Sequence, residues 1–149
     1  MEAEVYPEPR VEQLIRENFV PLRIDVRENP GGMERFNVQW TPTILLRGPA
    51  GKEHHRIEGF LDVDDFLAQL TLGLGKIAFA NQEWDRAGRW HDQVLERYPS
   101  TDAAPEAQYW RGVTRYKATN DPAALAATTA AFKERYSDST WAKKASVWG

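Results

Sequence analysis

Residues 40–59 read WTPTILLRGPAGKEHHRIEG, and this stretch decides the architecture of the first half of the chain. The apolar run at residues 43–47 predicts a buried strand. Gly and Pro at residues 48–51 predict a turn, and residues 53–58 predict a second strand. Two strands joined by a short turn form an antiparallel β-hairpin.

Upstream of the hairpin, the pattern predicts a helix at residues 9–19 and a further strand at residues 22–26. One face of the helix is apolar and carries Val11, Leu14, Ile15 and Phe19. In the next segment apolar and charged residues alternate, which is typical of a strand. A short helical turn is expected at residues 33–36, after the break at Asn29-Pro30-Gly31-Gly32.

Downstream of the hairpin the period becomes helical and stays so. Asp62 is a predicted cap of a helix whose apolar stripe runs to Ile77. Further helices are predicted at residues 84–98, 105–117 and 122–136, with a last helix beginning near Ser139.

The helical half contains an internal repeat. Glu96-Arg97-Tyr98 recurs 38 residues later as Glu134-Arg135-Tyr136, and Trp110 recurs as Trp148 at the same offset. Matches at nearly one period favour stacked helical units. The small residues Gly75 and Ala87 permit close helix approach there, while Trp84 and Trp90 fill the gaps.

The first half resembles the C-terminal part of a thioredoxin fold, over residues 1 to about 75. The resemblance is carried by Trp40-Thr41-Pro42-Thr43 before a buried strand, by the hairpin, and by Gly59 before a helix. It implies that the peptide before Pro42 is cis and that the neighbouring backbone pairs with extended substrate. Trp40, Thr41 and Pro42 are therefore the candidate binding residues.

The sequence departs from that family at its redox centre, because the chain contains no cysteine. By the resemblance, Met1 falls just past the position of the missing Cys-x-x-Cys motif. The family's sheet also has a strand between those at residues 22–26 and 43–47. Without it, we expect the two strands to close up, to borrow a strand from another copy, or to leave exposed edges.

The second half resembles tetratricopeptide repeats, through Leu74-Gly75, Trp84, Ala87, Val94 and Pro99. Ala78 and His91 stand where that family usually has aromatic residues. The resemblance implies association with proteins. The expected fold is thus α/β followed by all-α, with a partial thioredoxin-like sheet and helices at residues 1–72 and a tetratricopeptide-like helical array at residues 73–149.

The titratable side chains carry no strong signal for catalysis or metal binding. His54 and His55 adjoin on a strand and point to opposite faces, so we expect two solvated histidines rather than a metal site. His91 is interpreted as a half-buried structural histidine, with acid–base chemistry as the less favoured alternative. Asp62, Asp64 and Asp65 fit a helix cap. No metal and no cofactor is predicted.

The helical half is rich in aromatic residues, which we interpret as the core of the repeat rather than as interface anchors. We expect Trp148 to remain exposed. The residues concerned are Trp84, Trp90, Tyr109, Trp110, Tyr116, Trp141 and Trp148.

Charge and composition exclude several classes of partner. The formal charge is −3, from 19 basic and 22 acidic residues, so the chain lacks the basic surface that nucleic acid requires. No apolar run reaches the ~20 residues that span a bilayer, and the amino terminus has no signal-like pattern. The composition predicts a cytoplasmic protein.

The leading hypothesis is a non-catalytic protein-binding module that engages a protein or peptide through the Pro42 loop and the repeat surface. The alternative is the C-terminal portion of a thiol-disulfide oxidoreductase whose redox cysteines lie upstream of Met1. A third hypothesis is a self-associating chain, a homodimer formed through exposed strand edges.

Overall fold

The computed structural model describes all 149 residues and shows a mixed, mostly helical fold. The two strands, β1 (Thr43–Arg47) and β2 (Glu53–Glu58), form one antiparallel sheet. None of the helices combines the length and the apolar composition that a membrane-spanning segment requires. The helices are α1 (Pro9–Asn18), α2 (Gly31–Arg35), α3 (Val63–Ala80), α4 (Trp84–Arg97), α5 (Ala103–Thr119), α6 (Ala123–Glu134) and α7 (Thr140–Ala145), followed by a 3₁₀ turn (Ser146–Trp148).

The predicted hairpin is confirmed. β1 and β2 pair with Ile44 opposite Ile57, and the register is irregular between Leu46 and Arg47. The N–H of Gly51 closes the connecting turn by donating to the carbonyl of Gly48 at 2.9 Å. The Thr41–Pro42 peptide is cis, as expected.

The predicted strand at residues 22–26 is wrong. This segment has no strand partner, since the sheet consists of β1 and β2 alone. Leu22 is 84% exposed, and Val20, two residues earlier, is 98% exposed. Alternating apolar and charged residues would give a strand one buried face and one exposed face. A strand also needs a neighbouring strand to pair with, and the alternation does not provide one.

α3 is the central element, because it contacts α1 and the sheet as well as α4 and α5. Asp62 caps it as predicted, accepting the N–H of Asp65 at 2.9 Å. Two glycines allow close packing on two sides of the helix: a Cβ at Gly73 would collide with the Leu46 side chain of β1, and a Cβ at Gly75 would meet a side chain of α4. The expected domain boundary at residues 72 and 73 lies inside this shared helix.

Two apolar cores lie on either side of α3. The first joins the amino-terminal segment, α1, the hairpin and α3, through Val5, Val11, Leu46, Ile57, Phe66, Leu67 and Leu70. The second joins α3 to α4 and α5, through Ala68, Leu72, Val94, Leu95, Ala103, Ala104 and Ala107. The small residues of the second core let these helices approach closely.

The helical half repeats its elements at nearly the spacing seen in the sequence. α6 begins 39 residues after α4, at residue 123 against 84, and α7 begins 37 residues after α5, at residue 140 against 103. Ser139 caps α7 by accepting the N–H of Ala142 at 3.1 Å. The expectation that Trp148 is exposed is wrong, because the 3₁₀ turn folds back and stacks this half-buried ring on Tyr109, with ring centroids 4.8 Å apart.

Candidate functional site

The Pro42 loop, made of Trp40, Thr41 and Pro42, lies at the open end of the hairpin. The N–H of Gly59 donates to the Pro42 carbonyl at 2.8 Å, so this end is held together by a main-chain hydrogen bond. Two large apolar side chains flank it in solvent: Trp40 is 69% exposed and Phe60 is 61% exposed. Exposed aromatic residues of this size are typical anchors in protein interfaces.

The outer edge of β1 runs from this loop and has no strand beside it. The bond from Gly59 to Pro42 makes these two residues a hydrogen-bonded pair. Such pairs occur at every second residue of an antiparallel ladder, so the next one on β1 is at Ile44. Thr43 and Leu45 therefore direct their main-chain N–H and C=O groups away from β2. Both residues are only partly buried. An edge of this kind can accept an added strand.

The aromatic residues of the helical half make a different arrangement. Tyr109 packs against Trp110, Trp141 and Trp148, with ring centroids 4.8 to 5.4 Å apart. Phe79 packs edge-on against Trp84 and Trp110, with ring centroids 5.2 and 5.4 Å apart. These rings are half-buried and contact one another, whereas Trp90 and Tyr116 make no such ring contact.

The expectation of two solvated histidines is wrong for His55, which is 8% exposed. Strand alternation turns it, opposite Leu46, towards α3, where the missing side chain of Gly73 makes room for it. The neighbouring His54 is half-buried. No group of three or more histidine, aspartate and glutamate side chains is placed to hold a metal ion.

His55 belongs to a polar network that joins the hairpin to α3 and α5. Lys76 Nζ lies 3.2 Å from His55 Nδ1 and 3.1 Å from Glu106 Oε2, which also accepts the indole N–H of Trp110 at 3.1 Å. Since an ammonium group only donates, Nδ1 accepts, and the ring proton lies on Nε2, 2.7 Å from Gln69 Oε1. Burial, and then the charge of Lys76, lowers the pKa of His55, which agrees with a neutral ring.

His91 is fully buried on α4, which corrects the expectation of a half-buried residue. The absent side chain of Gly75 lets its ring enter the space between α3 and α4. Neither ring nitrogen has a hydrogen-bond partner. Burial, with a further contribution from Lys76, lowers the pKa of His91 to about 4, so the ring is neutral at pH 7.

The aspartates at the start of α3 serve structure. Asp62 is the cap, and Asp64 forms an exposed ion pair with Arg10 at 3.4 Å. Burial is the main cause of a raised pKa of Asp65, followed by repulsion from Asp62. These contacts account for the acidic cluster without catalysis.

Sequence reasoning missed Lys76 as the centre of the polar network. A signal was present, because Lys76 is the only charged residue between Asp65 and Glu83. Its partner Glu106 lies 30 residues away on another helix, and nothing in the local pattern pairs the two.

Comparison of the chain with protein-family models, with curated proteins and with solved structures finds no match.

Proposed function

We propose that the chain is a non-catalytic polypeptide-binding module with a partial thioredoxin-like first half. Its binding site is the Pro42 loop, with Phe60 beside it, together with the outer edge of β1. An extended segment of the partner adds a strand to this edge, and Trp40 provides an apolar anchor at one end.

The observation that carries the proposal is the unpaired edge of β1 next to exposed aromatic residues. The outward main-chain groups of Thr43 and Leu45 supply hydrogen bonds that suit any extended chain. Trp40 and Phe60 supply apolar contact, which gives preference for some side chains over others. No titratable group lies among these residues, and the absence of cysteine excludes thiol chemistry by this chain.

We also propose that residues 73–149, the second half of the chain, form a tetratricopeptide-like array. The supporting observations are the helix starts, which repeat after 39 and 37 residues, and the small residues between α3 and α4. Since its aromatic rings contact one another, this array serves mainly as the support on which the hairpin is held.

The test is selection of random linear peptides, displayed on phage, against the immobilised chain. We expect enriched peptides with apolar residues at alternate positions, and shifts in the amide resonances of Thr43 and Leu45 when such a peptide is added. In the variant Trp40→Ala/Phe60→Ala, affinity falls about tenfold or more, because both anchors are lost. Val147→Ala is the matched control, since Val147 is 82% exposed but distant in sequence from the hairpin.

Two results would contradict this function: no enrichment of any peptide, or equal affinity in the anchor variant and the wild type. A homodimer is the competing occupant of the same edge. Light scattering distinguishes it, because a dimer that dissociates in the anchor variant would assign the edge to a second copy of the chain.

A second candidate is the C-terminal portion of a thiol-disulfide oxidoreductase. It is favoured by the unpaired segment at residues 22–26, because the thioredoxin resemblance implies a strand between this segment and β1, and the sheet consists of β1 and β2 alone. Translation of the reading frame upstream of Met1 tests it. An in-frame Cys-x-x-Cys motif supports the oxidoreductase, and a stop codon immediately upstream contradicts it.

A further inference from the structure

Two exposed arginines lie together on the face of the hairpin that is opposite α3. Phe36 lies between them in sequence and in space, because the guanidinium carbons of Arg35 and Arg47 are each 5.2 Å from the centroid of its ring. Neither arginine forms an ion pair. Arg35 and Arg47 are called the arginine pair below.

The arginine pair is oriented by its surroundings. The guanidinium of Arg56, on β2, donates to the carbonyl of Phe36 at 2.7 Å and so holds that residue over the hairpin. Arg47 Nε donates to the carbonyl of Gly51 at 2.7 Å, while its two Nη groups and the side chain of Arg35 make no hydrogen bond. A guanidinium that is already oriented loses little conformational freedom when it binds a carboxylate.

The carboxylates nearby do not neutralise the arginine pair. Glu53, which lies opposite Arg47 in the hairpin, is held through both of its oxygens by Arg56, at 2.7 and 3.0 Å. Glu34 is next to Arg35 in the sequence but forms no ion pair with either arginine. The pair therefore presents positive charge for which the chain supplies no close carboxylate.

The unpaired edge of β1 joins the Pro42 loop at one end to the arginine pair at the other. Alternation along the strand places Thr43, Leu45 and Arg47 on one face, since Leu46 points to α3. A peptide strand added to this edge directs every second side chain to the same face. Neighbouring side chains on adjacent strands have Cβ atoms about 5 Å apart, so the one beside Arg47 lies within reach of its guanidinium.

We infer, on the basis of the proposed function, that the polypeptide bound at this edge carries an aspartate or glutamate that pairs with Arg47 and Arg35. Its other end carries the apolar side chain that contacts Trp40. Guanidinium groups hold carboxylates through two parallel hydrogen bonds, which distinguishes an acidic side chain from its amide. The length of β1 places the acidic residue about four positions from the one beside Thr43, a span of about 13 Å.

The test is selection of phage-displayed peptides on the wild-type chain and, in parallel, on Arg35→Gln/Arg47→Gln. We expect the wild type to enrich an acidic residue about four positions from the apolar end, and the variant to enrich the apolar pattern alone. Enriched sequences are then synthesised with amidated carboxyl ends, each also with its acidic residue replaced by the matching amide. At low salt the wild type should bind the acidic peptide about threefold or more tightly than the amide, and rising salt should reduce this preference.

Two further variants serve as controls. Arg89→Gln/Arg115→Gln removes the same charge from two exposed arginines of α4 and α5 that form no ion pair, so it keeps the wild-type preference. Arg35→Lys/Arg47→Lys keeps both charges but not the planar fork, so its preference lies between those of the wild type and the glutamine variant. Circular dichroism checks the fold of each variant.

The inference is overturned if the wild type binds the acidic and amide peptides equally, or if Arg35→Gln/Arg47→Gln keeps the wild-type preference. If that variant binds neither peptide, the lysine variant decides, and loss of all preference there overturns the inference. Enrichment of apolar peptides without an acidic residue contradicts only this inference. If the wild type enriches no peptide, the polypeptide site itself fails and the inference fails with it.

Discussion

The ring of His91 lies directly against the backbone of Gly75: a Cβ added to the glycine would be 2.5 Å from Cε1 and 2.8 Å from Nδ1 of the imidazole. The contact joins α3 to α4 at a fully buried position. The ring cannot turn away without a change in the packing of both helices.

We therefore expect Gly75→Ala to lower the free energy of unfolding by about 1–2 kcal/mol, as overpacking exceeds the gain in helix propensity. Gly88→Ala in α4 is the matched control. No atom lies within 4 Å of a Cβ at that position, so this variant should gain about 0.5–1 kcal/mol. Urea denaturation measures both changes. A stable Gly75→Ala protein would contradict the contact.

A double variant separates this contact from other effects of the substitution. His91→Ala removes the ring, so Gly75→Ala should cost much less in that background than in the wild type. The coupling energy from a double-mutant cycle measures the contact itself. If the effects of the two substitutions on stability were additive, the glycine and the ring would not be in contact.

The buried state of His91 predicts that stability falls as the solution becomes acidic. Its pKa is about 4 in the folded chain, against 6.5 ordinarily, so the unfolded chain binds more protons between these values. The loss due to His91 is about 2 kcal/mol at pH 5 relative to pH 7. His91→Phe should remove this part of the loss, as measured by urea denaturation at both pH values. An unchanged pH dependence in the variant would show that other groups cause it.

The ion pair between Lys76 and Glu106 should contribute more to the stability of the fold than an exposed pair does. Both side chains are mostly buried, and Glu106 Oε2 also accepts the indole N–H of Trp110. Glu106→Gln leaves Lys76 without a counter-charge, so we expect a loss of about 2 kcal/mol or more. Glu12→Gln, which disrupts the exposed pair with Arg16 on α1, should cost less than about 0.5 kcal/mol. Equal losses in denaturation experiments would mean that the buried pair contributes no more to stability than the exposed pair does.

Hydrogen exchange tests the finding that residues 22–26 do not form a strand. The amides of Leu22 and Ile24 should exchange rapidly, because no strand accepts their hydrogens. The amides of Ile44 and Ile57, which lie opposite each other in the hairpin, should exchange slowly. Strong protection at residues 22–26 would show that the segment is paired in solution, within one copy or between two.

Local pattern predicted the elements that depend on nearby residues. The hairpin bounds, the Asp62 cap and the starts of α4 and α7 all follow from turn chemistry and periodicity within a few residues. The prediction failed at residues 22–26, because strand formation needs a partner that the pattern does not supply. The buried state of His55 was missed for a related reason: it depends on the space over Gly73, which lies on another element.

The candidate binding loop came from the resemblance and not from any local rule, since Trp40 and Phe60 read as ordinary apolar residues. Their exposure is visible only in three dimensions. The polar network needed the fold as well, because Lys76 meets residues from β2 and α5.

The two glycines of α3 have a consequence for how the chain comes apart. One helix closes both cores, with Gly73 against the hairpin and Gly75 against α4. Loss of either core would expose one face of α3 to solvent, and the other core depends on the same helix. Although the chain combines two kinds of architecture, it should melt as one body, with a single heat-absorption peak and no separable half.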